Sequence, residues 1–291
     1  MKKFLSVFLA LVSFLPSAQA NIILPESITP GQAYFDKGDP YPVGWLEVTT
    51  LSGTIQRSSF TALDDQRSGL ASGHALANAA PGSQLRYGFG NYFDDITSGT
   101  FGTASYFSIH PSYQGLGTGY DHGVFHSDAL FPVQGAKLYD GSLSVGMQLS
   151  MVGYGRLGYP GDTMDDLVYD GNKRGFEGRL DSLFSVSGVH FTSIFRPPGH
   201  LFFNPLGGQI SPGSSGGGVF SLIGGEALLV GANSLYSFNL GYGGSSSPTR
   251  LDVTQIRATM YSSVPEPGSL LLLGTVFPFV VFYRRRRATT Q

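Results

Sequence analysis

The sequence predicts an all-β protein, and three observations support this prediction. Runs of β-forming residues recur between clusters of Gly, Pro, Asn and Asp, at residues 44–48, 105–109, 148–154 and 227–231. Glycine is abundant, at 41 of 291 residues. Between the two ends of the chain there is no long amphipathic helix pattern, and one short helix is predicted at residues 253–260. This combination is typical of a β-sandwich or a β-barrel.

The first 20 residues have the pattern of a secretory signal peptide. Lys2 and Lys3 precede an apolar run over residues 4–15, and the segment ends in Ala18-Gln19-Ala20. A charged start, a short apolar centre and an Ala-x-Ala end are the three parts of such a signal. A short membrane anchor is the alternative, but a span needs ~20 apolar residues. We therefore expect export, with the mature chain starting at Asn21.

The C-terminal segment, residues 264–291, also has three parts. It begins with Val264-Pro265-Glu266-Pro267-Gly268, continues with an apolar stretch over residues 269–283 and then carries Arg284 to Arg287. In this order the parts resemble the PEP-CTERM sorting signal of Gram-negative bacteria. The resemblance implies removal by an exosortase-type membrane enzyme and delivery to the cell surface or extracellular matrix, with membrane contact through the tail only. A plain transmembrane anchor is the alternative, although 15 apolar residues are few for a span.

Charge and cysteine content exclude several classes of function. Lys2, Lys3 and the four tail arginines account for six of the 18 basic residues, and Glu266 for one of the 20 acidic residues. The chain between the two ends therefore has a formal charge near −7, which argues against nucleic acid or an anionic membrane surface as a partner. The absence of cysteine excludes disulfides, cysteine-zinc sites and thiol catalysis.

Three segments carry residues that could act together as a hydrolytic triad. His74 lies in Ala-Ser-Gly-His-Ala, Asp121 begins Asp-His-Gly-Val-Phe, and Ser215 lies in Pro-Gly-Ser-Ser-Gly-Gly-Gly. A serine hydroxyl needs an imidazole to take its proton and a carboxylate to orient that imidazole. The order His, Asp, Ser, with gaps of 47 and 94 residues, is the order of a chymotrypsin-type triad.

The surrounding segments resemble the trypsin-like serine proteases in the same order along the chain. The similar segments are Leu70-Ala71-Ser72-Gly73-His74, Ile109-His110-Pro111-Ser112-Tyr113, Val152-Gly153-Tyr154-Gly155, Ser234-Leu235-Tyr236 and Thr249-Arg250-Leu251. The resemblance covers residues 45–260 and implies two antiparallel six-stranded β-barrels followed by a short helix. It places an N-terminal region and the first barrel in residues 21–135, and the second barrel with the closing helix in residues 136–263.

The resemblance also assigns the remaining site residues. The N–H groups of Gly213 and Ser215 would form the oxyanion hole, which the glycine-rich bend can expose. The substrate would contact Gln209, Ser234, Leu235 and Tyr236. Asp128, in Asp-Ala-Leu-Phe, competes with Asp121 for the role of triad acid. Neither a metal nor an organic cofactor is implied. A metal pair at His122 and His126 would need a helix where the pattern predicts a strand.

The chain departs from the family pattern at four places. Ser214 replaces the aspartate that usually precedes the nucleophile, so the oxyanion loop must be held by neutral hydrogen bonds or packing. Tyr236 replaces a glycine, which narrows the primary pocket, and Gln209 replaces the aspartate that selects basic side chains. The segment over residues 56–66 differs from the usual strand before the histidine.

These features lead to a main hypothesis and two alternatives. The main one is a secreted serine endopeptidase that acts on a protein or peptide substrate. The first alternative is an inactive member of the same fold that serves as a surface or matrix binding protein. The second is an unrelated β-rich surface protein in which the motifs are coincidental.

Overall fold

The fold is mostly β, as predicted. The computed structural model describes residues 21–80, 82–90, 101–104, 106–117, 119–183, 189–237 and 239–261. The strands are β1 (Asn21–Ile23), β2 (Val43–Thr49), β3 (Ile55–Ala62), β4 (Ser68–Ala71), β5 (Leu85–Gly88), β6 (Phe101–Ala104), β7 (Tyr106–Ile109), β8 (Gly123–His126), β9 (Gln148–Gly153), β10 (Leu157–Gly158), β11 (Arg174–Arg179), β12 (Ser193–Ile194), β13 (Gly208–Gln209), β14 (Gly218–Ile223), β15 (Glu226–Tyr236) and β16 (Ser245–Arg250). The helices are α1 (Gly31–Gly38), α2 (Gly73–Ala77) and α3 (Val253–Tyr261).

The first barrel is formed by seven of these strands in the order β6-β5-β2-β3-β4-β8-β7. Every neighbouring pair is antiparallel. The two ends of the order, β6 and β7, are separated by one residue in the sequence. The two edge strands are therefore neighbours in the chain, and the seven-stranded sheet forms a nearly closed barrel.

The second barrel has six antiparallel strands in the order β11-β9-β14-β15-β16-β12. Its end strands, β11 and β12, contact each other, so this sheet is nearly closed as well. A third sheet of three strands, in the order β10-β1-β13, was not expected from the sequence. Within it β1 runs parallel to β10 and antiparallel to β13.

Each barrel has its own apolar core, and a third cluster lies between the barrels. In the first barrel the ring of Phe60 contacts four other aromatic rings, which are Tyr87, Phe89, Phe125 and Phe131. The third cluster joins Val43 and Leu70 of the first barrel to Val152 of the second and to Ile256 of α3. Such burial is worth roughly 25 cal/mol for each Å² of apolar surface removed from water. The two barrels are thus packed against each other through this shared cluster.

The helix predicted near the end of the domain is present as α3, whereas two further helices were not predicted. The second of these, α2, has only five residues and directly follows β4. A segment this short cannot display the 3.6-residue periodicity by which a helix is recognised. Yet α2 matters for the site, because it carries His74.

Candidate active site

His74 and Asp121 are joined by two hydrogen bonds. The main-chain N–H of His74 donates to Oδ1 of Asp121, and Nδ1 of the ring lies 2.8 Å from Oδ2 of the same carboxylate. His74 lies in the first turn of α2, whereas Asp121 lies two residues before β8. Because β4 and β8 pair antiparallel, the end of β4 and the start of β8 are adjacent. The pairing of the two strands therefore brings together residues 47 positions apart.

The carboxylate of Asp121 is fully buried and ionised. Burial alone would raise its pKa, but the charge of His74 and hydrogen bonds from His74 and Ser234 hold the pKa below its usual range. The hydroxyl of Ser234 donates to Oδ2 of Asp121 at 2.5 Å. Ser234 lies on β15 of the second barrel, so both barrels supply partners to this carboxylate. Asp121 can thus orient the imidazole with Nδ1 protonated and Nε2 free to accept a proton.

Asp128, the other candidate for the triad acid, is exposed. Its carbonyl oxygen accepts a hydrogen bond from the guanidinium of Arg67 at 3.1 Å. The carboxylate in contact with His74 is that of Asp121.

The loop that carries Ser215 is tied to the first barrel through main-chain oxygens. Ser58 Oγ and the N–H of Ser59 donate to the carbonyl of Ser215 at 2.6 and 2.9 Å. Ser59 Oγ donates to the carbonyl of Gly213 at 2.6 Å. Both serines belong to β3, within the segment that differs from the family pattern. Ser58 and Ser59 therefore hold the loop against the first barrel.

Gly216 brings the Ser215 loop next to the start of α2. A Cβ at this glycine would lie 2.6 Å from the N atom of Ser72 and 2.4 Å from the carbonyl oxygen of Ser59. Gly216 also has a φ of +83°, a backbone conformation that residues with a Cβ rarely adopt. Ser72 is two residues before His74, so the Ser215 loop lies close to the segment that carries the histidine.

His74 and Ser215 are not hydrogen-bonded to each other in the described part of the chain. Ser215 is half-buried, and the His74 side chain is 18% exposed, so both can be reached from solvent. In enzymes without substrate, catalytic hydrogen bonds are often long and shorten only when substrate binds.

Two main-chain N–H groups of the loop are free to bind a ligand. Among the described residues, the N–H groups of Gly213 and Ser215 donate to no protein acceptor, whereas those of Ser214, Gly216 and Gly217 all do. Gly213 has a φ of +89°, a conformation that glycine adopts without strain. Alternate N–H groups in such a bend can converge on one anion.

Ser214, between these two residues, is held by a neutral partner. Its hydroxyl donates to Oδ1 of Asn21, at the start of β1. As expected from the sequence, this contact of the loop is a neutral hydrogen bond.

The residues predicted to bind substrate have varied surroundings. Gln209 is fully buried, and its side-chain amide donates to the carbonyl of Ser237 at 3.0 Å and accepts from the N–H of Gly241 at 3.0 Å. The hydroxyl of Ser234 donates its hydrogen bond to Asp121. Leu235 and Tyr236 are half-buried, and Tyr236 packs against the core of the second barrel. Gln209 therefore bonds to the main chain of Ser237 and Gly241 instead of presenting a free side chain.

No metal-binding group is present within the described ranges, where no three His, Asp or Glu side chains are grouped to hold an ion. His126 ends β8 and His122 directly precedes it, so the two residues do not share a helix. The ring of His122 is buried beside His110, with centroids 4.9 Å apart. Burial, together with the charge of His110, lowers the pKa of His122 to about 4. His122 is therefore neutral at physiological pH.

Comparison with known families identifies the C-terminal segment. Residues 263–287 match the PEP-CTERM protein-sorting motif. The motif implies an exported protein that is sorted to the envelope of Gram-negative-type bacteria and processed by an exosortase at its C-terminus. No curated protein matches the chain.

The predicted signal peptide and the sorting tail both lie outside the described residues, as does any transmembrane segment of the tail. Among the residues that the structure describes, none of the helices has the length and apolar character needed to cross a bilayer.

Proposed function

We propose that the exported domain is a serine endopeptidase in which Ser215, His74 and Asp121 act as a catalytic triad. The observation that carries the proposal is the buried Asp121 carboxylate bonded to Nδ1 of His74, with the loop of the half-buried Ser215 packed close to the start of the same helix α2. The free N–H groups of Gly213 and Ser215 support it independently. The two-barrel fold is compatible with this chemistry.

In the proposed reaction, Oγ of Ser215 attacks the carbonyl carbon of a peptide bond while Nε2 of His74 takes its proton. Asp121 remains ionised and stabilises the imidazolium. The negative oxygen of the tetrahedral intermediate accepts hydrogen bonds from Gly213 and Ser215, each worth ~3 kcal/mol when lost. The C–N bond then breaks, His74 gives its proton to the leaving amine, and water hydrolyses the Ser215 ester by the same steps.

The substrate is a protein or peptide with a neutral side chain at the cleavage site. Gln209 carries no charge, and its amide is already engaged by Ser237 and Gly241. The net negative charge of the domain disfavours acidic substrates. Because the sorting motif directs the protein to the envelope, the substrates are cell-surface or extracellular-matrix proteins.

The test is hydrolysis of a complex peptide library by the purified full-length protein, with Ser215→Ala as the matched control. We expect new peptide termini with the wild type and none above background with the variant. Equal cleavage by both proteins would refute the proposed role of Ser215. No cleavage by either would favour the inactive binding protein.

A further inference from the structure

The hydroxyl of Ser214, the residue before the proposed nucleophile, has a partner that is distant in the sequence. It donates to Oδ1 of Asn21, which is 193 positions away in the sequence. Ser211 Oγ lies 3.4 Å from the same oxygen. Asn21 and Ser214 are both fully buried. One amide side chain thus anchors two serines of the segment that leads to Ser215.

Asn21 is itself fixed from several sides. Its Nδ2 donates to the carbonyl of Gly153 at 3.4 Å, and its main-chain N–H donates to the carbonyl of Arg156. The next residues of β1 are buried in the core of the second barrel, where Ile22 is 0% exposed. Asn21 cannot shift without withdrawing this strand from the core, so it is a rigid anchor.

The position of Ser214 determines the direction of the free N–H groups on either side of it. Ser59 and Ser58 hold the carbonyls of Gly213 and Ser215 from the first barrel. Asn21, on β1 of the three-stranded sheet, accepts a hydrogen bond from the side chain of Ser214, the residue between them. With these points fixed, the peptide units that carry the N–H groups of Gly213 and Ser215 have little freedom to turn.

We propose that Asn21 is a positioning residue for the nucleophile loop, acting through Ser214 to hold the N–H groups of Gly213 and Ser215 in the orientation that binds the oxyanion. This inference rests on the proposed function. The bond joins two neutral side chains, so it does not depend on the ionisation of either residue. Removing either partner leaves the other buried without its hydrogen bond, which is more costly than removing both.

A double-mutant cycle on the full-length protein tests the inference, with the rate of fluorophosphonate labelling as the first measurement. We expect Asn21→Ala and Ser214→Ala each to lower this rate about tenfold. The labelling rate of the double variant should be no lower than that of either single variant, because the two residues act as one unit. Additive losses in the double variant would overturn the inference, since they would mean that Asn21 acts independently of Ser214.

Hydrogen exchange of the loop is the second measurement, and it separates this inference from the proposed function. The N–H groups of Gly216 and Gly217 donate to Asn233 and Ser214 at 2.8 and 2.9 Å, so their protection reports the order of the loop. Exchange there should accelerate in Asn21→Ala. The matched control is Ile22→Val, which loosens the same strand but keeps the amide and should leave the loop unchanged.

Failure of the proposed function can be distinguished from failure of the positioning role of Asn21. A wild type that the fluorophosphonate does not label would refute Ser215 as the nucleophile. Even then, hydrogen exchange of the loop that is faster in Asn21→Ala but not in Ile22→Val would support the positioning role. Unchanged exchange in Asn21→Ala, or equal acceleration in Ile22→Val, would overturn the positioning role whatever the labelling shows.

Discussion

Asp121 binds His74 with both of its carboxylate oxygens. Oδ1 accepts the main-chain N–H of His74, and Oδ2 lies against Nδ1 of the ring, each at 2.8 Å. The first bond fixes the backbone at the start of α2, and the second fixes the ring itself. One carboxylate therefore sets both the position and the tautomer of the proposed general base.

Changing Asp121 to asparagine should abolish most of the activity without unfolding the protein. The amide keeps the shape of the carboxylate but favours the wrong tautomer of His74, which costs on the order of 10⁴-fold in kcat. Asp128→Asn is the matched control, because Asp128 is exposed and away from His74. Peptide hydrolysis by the two variants measures the difference. Equal losses in both would contradict the assignment of Asp121.

Ser234→Ala should weaken the reaction moderately. The variant removes the 2.5 Å hydrogen bond to Oδ2 of Asp121, which is one of the interactions that lower the pKa of this carboxylate. A hydrogen bond to a charged group is worth about 1.5–3 kcal/mol, so kcat/KM should fall about 10- to 100-fold. Steady-state kinetics on a peptide substrate provides the check. An unchanged kcat/KM would show that this hydroxyl contributes nothing to the orientation of the triad.

Gly216→Ala should destabilise the protein more than Gly225→Ala. Both glycines have similar positive φ angles, +83° and +86°, so both variants carry the same backbone strain. A Cβ at Gly216 would lie 2.4 Å from the carbonyl oxygen of Ser59, whereas nothing lies within 4 Å at Gly225. The extra overpacking should cost about 1–3 kcal/mol in free energy of unfolding, measured by denaturant titration. Equal costs would mean that the loop does not pack closely against β3.

The free energy of unfolding should fall as the pH is lowered from about 6.5 to about 4. Burial and the charge of His110 lower the pKa of His122 to about 4, although Asp121 and Asp252 act in the opposite direction. Between an ordinary histidine pKa of ~6.5 and that value, the unfolded chain binds the extra proton and the folded chain does not, so stability rises with pH.

The contribution of His122 is therefore complete above pH ~6.5 and is lost as the pH falls, by about 3 kcal/mol in total. Denaturant titrations across this range should show the loss in the wild type and a smaller loss in His122→Gln. The same slope in both proteins would show that His122 is not the group responsible.

The residues of the proposed triad stand out in the sequence because each lies in a short motif of its own. His74 follows a β-run and precedes a small-residue turn, and Ser215 lies in a glycine-rich bend. The order of these motifs, and not any one of them, identified Asp121 as a candidate. Contact between Asp121 and His74 then follows from the pairing of β4 with β8.

The supports of the Ser215 loop could not be predicted in the same way. Ser58 and Ser59 contact the loop from about 155 positions away, and Asn21 from 193 positions away. A hydrogen bond between such distant residues leaves no local pattern in the sequence, since serine and asparagine are also common in turns. In the sequence, residues 56–66 show only a departure from the pattern of the resembled family, yet this segment contains Ser58 and Ser59, which contact the Ser215 loop.

The barrels themselves were predictable only in part. Alternating β-runs indicated the strands, and the predicted closing helix is present as α3. The third sheet was missed because β10 and β13 have two residues each, too few to show any periodicity.

If His74 and Asp121 make the hydroxyl of Ser215 nucleophilic, a fluorophosphonate should react with this residue. Mass-spectrometric mapping of the adduct on the full-length wild-type protein measures this reaction. We expect a single adduct, located on Ser215 and absent from Ser215→Ala and from His74→Ala. An unmodified wild type, or an adduct that persists in Ser215→Ala, would contradict the proposed role of Ser215.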